Sequence, residues 1–178
     1  MKKFILGIIA LLVIAAGALF AINGKSNYDP TKYSLSITPK DKAFGVGSKI
    51  DFTLPDQFNK AHTLKNDDKK LVFVFTKDTG HILKEYMKGK DKKFVEDKKL
   101  VLVADVSGMP TVILNTFALP DFQKSNYPML LIYDKNIAQK LKEGQDTSKV
   151  VVLSLDNKKV TKIEHAANQK ELDKLLNK

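Results

Sequence analysis

Four short, continuously apolar runs constrain this chain more than anything else in it: Leu71 to Phe75, Leu100 to Ala104, Met129 to Tyr133 and Val150 to Leu155. Each is bounded by polar residues, and a strand with no wet face must read this way. Segments with helical periodicity separate them. Thr79 to Lys88 places Ile82, Leu83, Tyr86 and Met87 on one stripe, with Asp78 as the expected N-cap. Ser107 to Lys124 should begin on a capping Ser107, tolerate Pro110 in its first turn and kink at Pro120. Asn136 to Lys142 and Asn168 to Leu176 supply two further helices. The fourth apolar run turns at Asp156-Asn157-Lys158-Lys159 into a fifth, Val160 to Ile163, which must pair antiparallel. The crossovers before it are long enough for parallel pairing. The expected architecture is α/β, a central mixed β-sheet with helices on both faces.

Upstream of these runs, Ile50 to Leu54 alternates apolar and polar, Pro55-Asp56 turns the chain, and His62-Thr63-Leu64 returns as a hairpin. Residues 23–44 hold Asn23-Gly24, Asp29-Pro30 and Thr38-Pro39, all turn signals, and predict a linker with one short strand at Tyr33 to Ile37. The domain is therefore expected over 45–178. Before the linker, Phe4 to Ile22 is a run of 19 residues without a charge, preceded by Lys2 and Lys3. As a helix it would rise about 28 Å, close to the ~30 Å of a bilayer's hydrocarbon. It reads as an export segment over 1–22, with the two lysines left in the cytoplasm. Two outcomes stand. A retained helix would anchor the domain to the inner membrane on its periplasmic side. Cleavage after the small-x-small stretch Ala16-Gly17-Ala18 would release it into the periplasm.

Composition removes whole classes of chemistry. The chain has no Cys, no Trp and no Arg, so all 30 basic residues are Lys. Without Cys there are no disulfides, thiolate metal sites or thiol nucleophiles. Without Arg there are no bidentate forks for phosphates or guanine edges. The formal net charge is +10. It suits an anionic membrane surface or an acidic partner. Nucleic acid is not expected, because no run interleaves aromatic with basic residues and export would place the domain away from it.

The order of these elements resembles the thioredoxin fold, in its peroxiredoxin/TlpA-like branch. Residues 47–58, Gly-Ser-Lys-Ile-Asp-Phe-Thr-Leu-Pro-Asp-Gln-Phe, resemble the G-x-x-x-P-x-F-x-L-x-D stretch that opens those domains. Asn59 then stands near a position where the family usually has Gly. Residues 127–138, ending Asp134-Lys135-Asn136-Ile137-Ala138, resemble the family's strand-D-x-x-x-x-A segment. The redox site does not carry over. In the peroxiredoxin pattern P-x-x-x-T-x-x-C-x-x-E, Thr79 and Glu85 fall in place, but Phe75 stands for Pro and Ile82 for Cys. In the TlpA-like C-x-x-C-x-x-E the two cysteines correspond to Thr79 and Ile82. The family's cis-proline should lie near Thr147-Ser148-Lys149, where Ser148 is the central residue and no proline is present. Thiol–disulfide exchange needs a thiolate, so the family's redox mechanism is excluded.

Other chemistry is sought at the carboxyl ends of the parallel strands, where this fold gathers its loops. That pole should collect Asp78 and His81 from one loop and Asp105 and Ser107 from the next. A serine triad is not supported, since Ser107 lacks a G-x-S-x-G turn. His62, His81 and His165 are not at ligand spacing, so no metal and no cofactor are expected. Val112, Ile113, Leu114, Phe117, Leu119 and Phe122 make one helix more apolar than a single buried face requires, which fits either a core helix with a second partly buried side or a docking surface for another envelope protein. The expected function is a binding, chaperone-like or assembly module in the cell envelope with an envelope protein as partner. A thioredoxin-like enzyme or small-ligand binder using the strand-end polar cluster is the alternative.

Overall fold

The computed structural model of the chain describes residues 22–40 and 42–177. The export segment thus lies outside the described residues except for Ile22, and among those described no helix is long and apolar enough to cross a membrane. A 3₁₀ turn (Pro30–Lys32) leads into β1 (Ser34–Thr38), β2 (Lys49–Pro55), β3 (Ala61–Thr63) and β4 (Lys70–Val74). Next come α1 (Lys77–Met87), α2 (Lys92–Asp97) and β5 (Leu100–Asp105). Then follow α3 (Thr111–Ile113), a π-helical turn (Leu114–Ala118), α4 (Leu119–Phe122), β6 (Leu130–Ile132) and α5 (Lys135–Lys142). The hairpin β7 (Val150–Asp156) and β8 (Lys159–Ala166) precedes the last helix, α6 (Gln169–Leu176).

The strands form one sheet in the order β1-β2-β8-β7-β4-β5-β6, with β3 paired to β2. β4, β5 and β6 are parallel, whereas β7 runs antiparallel to β4 and to β8. The side-chain period of two sends alternate residues to opposite faces. Val72 and Val74 of β4 join Leu83, Tyr86 and Met87 of α1 and Leu172, Leu175 and Leu176 of α6. Leu71 and Phe73 of the same strand join Ala138 and Leu141 of α5 and Ile50, Phe52 and Leu54 of β2. The mixed sheet with both faces covered is as the sequence led us to expect. β2 meets β8 only at Lys49–Lys159, then runs over the second face until Asp56 bridges to Leu130 of β6.

The structure corrects several local expectations. The short strand expected at Tyr33 to Ile37 is β1, but the segment around it is docked and not a free linker: β1 pairs with β2 from Ser34–Thr53 to Thr38–Lys49, and Tyr33 and Phe44 are buried. The N-cap of α1 is Thr76, not Asp78. Thr76 and Thr79 cap each other reciprocally, which satisfies two backbone donors at once, while Asp78 sits in the first turn. Ser107 caps nothing. Its N–H donates to Asp105 Oδ1 at 2.9 Å, and the helix begins only after Pro110, whose carbonyl accepts from Ile113 and Leu114. The kink expected at Pro120 is a widened turn ahead of it, with Leu119 N–H donating to the Leu114 carbonyl. Proline has no N–H, and its ring crowds the carbonyl four residues back, so the helix opens there. The charged stretch 92–97, to which the sequence pattern assigned no element, is a helix. Asp91 caps it by accepting from Phe94 N–H, Lys92–Glu96 and Lys93–Asp97 pair one turn apart, and Val95 is buried.

The hairpin between β2 and β3 hangs on one carboxylate. Asp56 Oδ1 accepts from Phe58 N–H at 2.8 Å and Lys60 N–H at 2.9 Å, and its Oδ2 lies 2.8 Å from His62 Nε2. This turn takes Asn59 to φ +60°, the left-handed region that Asn tolerates. Asp56→Ala would strand both amides, so urea unfolding should show a loss of about 1–3 kcal/mol. His62→Ala, which leaves the turn amides bonded, should cost less.

Candidate functional site

The carboxyl ends of β4 and β5 and one side of α5 enclose an open recess of about 580 Å³. Phe75, Lys77, Met109, Lys135, Gln139 and Lys142 are among the residues that line it. Of the four residues expected at this pole, Asp105 and Ser107 line the recess, whereas Asp78 and His81 are exposed and do not. Asp105 projects from the last position of β5, and its side chain is only 3% exposed. A buried carboxylate needs a partner. It has two: Ser107 N–H on Oδ1 and the Lys142 ammonium on Oδ2. Lys142, at the end of α5, also lies 5.6 Å from the centre of the Phe75 ring. The pair lines the recess, and each Asp105 oxygen is engaged, Oδ1 by the Ser107 amide and Oδ2 by the Lys142 ammonium.

The positions that the sequence patterns set against redox groups, Thr79, Ile82, Glu85 and Ser148, have local structural surroundings. Thr79 is fully buried; its hydroxyl accepts from Thr76 N–H at 3.0 Å and donates to the Thr76 carbonyl at 3.0 Å. A hydroxyl so engaged has no proton to give to a base and no path to a substrate. Ile82 packs against the first face of the sheet, and Glu85 is exposed. The 147–149 loop contains no cis bond; the single cis peptide among the described residues is Thr38–Pro39, at the end of β1. Ser148 there serves its own turn, its hydroxyl donating to Asp146 Oδ1 at 2.5 Å and its N–H at 3.2 Å. Among the described residues no three His, Asp or Glu side chains converge to hold a metal.

The apolar helix divides. Val112 and Leu114 are buried, and Leu119 and Phe122 pack on the core. Ile113 and Phe117 are 43% and 63% exposed, and Met109, on the recess rim, is 37% exposed. Sequence reasoning missed two anchoring side chains, Lys142 and Asn115. The Asn115 amide donates to the carbonyls of Asn23 at 2.8 Å and Lys25 at 2.9 Å. Contacts across 92 and 90 residues leave no periodic mark in a sequence.

The 146–149 loop offers a direct pH test. The Ser148 hydroxyl first, then the Lys149 ammonium 3.0 Å away, hold the Asp146 carboxyl down from its ordinary 3.8 to about 2. Its contribution to stability is full above about pH 4 and is lost as pH falls through about 2. Ser148→Ala should move the carboxyl titration upward toward 3.8, read from the side-chain carbonyl carbon by NMR.

No protein-family model matches the chain, and neither does any curated protein. Solved structures do match. A candidate protein disulfide isomerase from Bacteroides thetaiotaomicron superposes with TM-score 0.50 at 21% identity, covering 81% of this chain and 90% of that one. Peroxidoxin BcpB from Mycobacterium tuberculosis gives TM-score 0.48 at 17% identity, over 71% of this chain and 90% of that one. A candidate thiol:disulfide interchange protein DsbE from Chlorobium tepidum gives 0.49 at 14%, over 76% and 96%. At such identities the likeness speaks for architecture alone: the chain has a thioredoxin-like fold, built without a single cysteine.

Proposed function

We propose that this chain is a membrane-tethered, non-redox binding module of the cell envelope, whose strand-end recess receives an acidic segment of a partner protein. The observation that carries this reading is the composition of the recess. Phe75 and Met109 give it apolar surface, Lys77 and Lys135 give it uncompensated positive charge, and its one acid, Asp105, is already neutralised by Lys142. A concave site with apolar walls and a few placed charges is how proteins hold a peptide or ligand. The groups that would perform catalysis there are absent or spent on helix caps and turns. The apolar run Phe4 to Ile22 supplies the tether, and the net charge of +10 favours acidic partners.

A photo-crosslinking side chain at Gln139, exposed on the rim, should capture a discrete protein in cells, while one at Lys159 on β8 should not. Lys77→Glu with Lys135→Glu should abolish that adduct without unfolding the domain, since both side chains are exposed. Equal capture from both positions, or capture that survives the charge reversal, would overturn the reading. Purified protein should also leave the rate at which dithiothreitol reduces insulin disulfides unchanged from that of the reagent alone.

A further inference from the structure

Exposed apolar side chains are concentrated where the chain enters the domain. Among the described residues, six large ones are exposed: Ile22, Val46, Phe58, Met109, Ile113 and Phe117. Four of these belong to one strap and its anchors. Residues 23–28 run along the domain, held by Asn115 on the carbonyls of Asn23 and Lys25 and by Asn59 Nδ2 on the carbonyl of Asn27 at 3.3 Å. Tyr28 then stacks between Tyr33 and Tyr133, with ring centres 5.4 and 4.8 Å away. Ile113 and Phe117 flank Asn115, Phe58 neighbours Asn59, and Ile22 precedes the first pinned residue. They are 43%, 63%, 61% and 76% exposed.

We propose that this face, with Ile113 and Phe117 at its centre, rests in the headgroup layer of an anionic lipid bilayer and fixes the orientation of the domain on the membrane. The inference rests on the membrane-tether reading of Phe4 to Ile22. If that run spans the hydrocarbon, its last residue, Ile22, lies at the bilayer boundary. Asn23 follows directly and is bonded to Asn115, so the slack between bilayer and domain is one residue, about 3.8 Å. The domain cannot swing away without breaking both Asn115 hydrogen bonds. Ile113 and Phe117, two positions either side of Asn115, are thereby held beside the point of entry, where interfacial helices sink their apolar faces by about 5–10 Å. Lys25, exposed in the strap itself, adds a cation at the level where acidic headgroups lie. A lipid surface accounts for the contiguity of patch and tether, which a separate protein partner would not require.

The absence of native cysteine makes the test clean. Full-length chains carrying one cysteine at Phe117, Ile113, Leu11 or Lys159 would be labelled with an environment-sensitive nitrobenzoxadiazole dye. They would then be reconstituted into vesicles of phosphatidylethanolamine and phosphatidylglycerol. The expected result is a hydrocarbon signal from Leu11→Cys, a blue-shifted interfacial signal from Phe117→Cys and Ile113→Cys, and a water signal from Lys159→Cys. Adding Asn115→Ala should shift the Phe117→Cys signal toward water and leave Leu11→Cys unchanged. Water signals at both 113 and 117 with Leu11→Cys buried would overturn the proposal and leave the tether standing. A water signal from Leu11→Cys would overturn the tether and the proposal together. A blue shift at 117 that rises with protein concentration in detergent, without vesicles, would assign the face to a second copy or another protein and also overturn it.

Discussion

Strands β4, β5 and β7 have water on neither face, and the rest of the molecule follows from that. A strand such as Leu71–Phe75 presents Leu71 and Phe73 to one side and Val72 and Val74 to the other, each nearly inaccessible. Two covering layers are then obligatory. One is built from α1, α6 and the helical stretch 111–122, the other from α5 and the β2–β3 hairpin. Parallel pairing of β4, β5 and β6 sends their carboxyl ends to a common pole, so loops from distant parts of the chain gather there whether or not they perform chemistry.

Around that pole the polar side chains are largely engaged within the fold. Thr79 closes a capping box, Ile82 adds to the core, Ser148 tightens a turn, and Asp105 meets Lys142. Each of these side chains has a structural partner. The remaining groups with unspent capacity, Lys77, Lys135 and Met109, line a surface suited to contact.

Architecture was legible in the sequence because burial on two faces writes itself as unbroken apolar runs, and turns write themselves in Asn, Asp and Gly. The strands beginning near Leu71, Leu100, Leu130, Val150 and Lys159 all stand close to where the pattern placed them. Caps were less legible, since Asp78 and Thr76 are both good N-caps and only the reciprocal bond with Thr79 decides between them. The helix after Asp91 carried its signal in Asp91 and two lysine–acid pairs four residues apart, yet charge density on a short segment resembles a loop. The site was legible only as a pole. Which side chains fill it depends on Lys142 reaching Asp105, a contact between elements that no local pattern encodes. The docking of residues 23–28 was invisible for the same reason: it rests on Asn115, Asn59 and Tyr133, all far along the chain.

Tyr28, clasped between Tyr33 and Tyr133, has an optical consequence. With no Trp in the chain, near-ultraviolet dichroism arises from five tyrosines and ten phenylalanines alone. Three of those five tyrosines form one near-parallel column, with interplanar angles of 10° and 11°. Rings so arranged couple their transitions, and the coupling exists only while the residues before β1 lie against the sheet edge. The protein therefore contains an intrinsic chromophore whose rotational strength reports the seating of its own N-terminal strap, with no label attached.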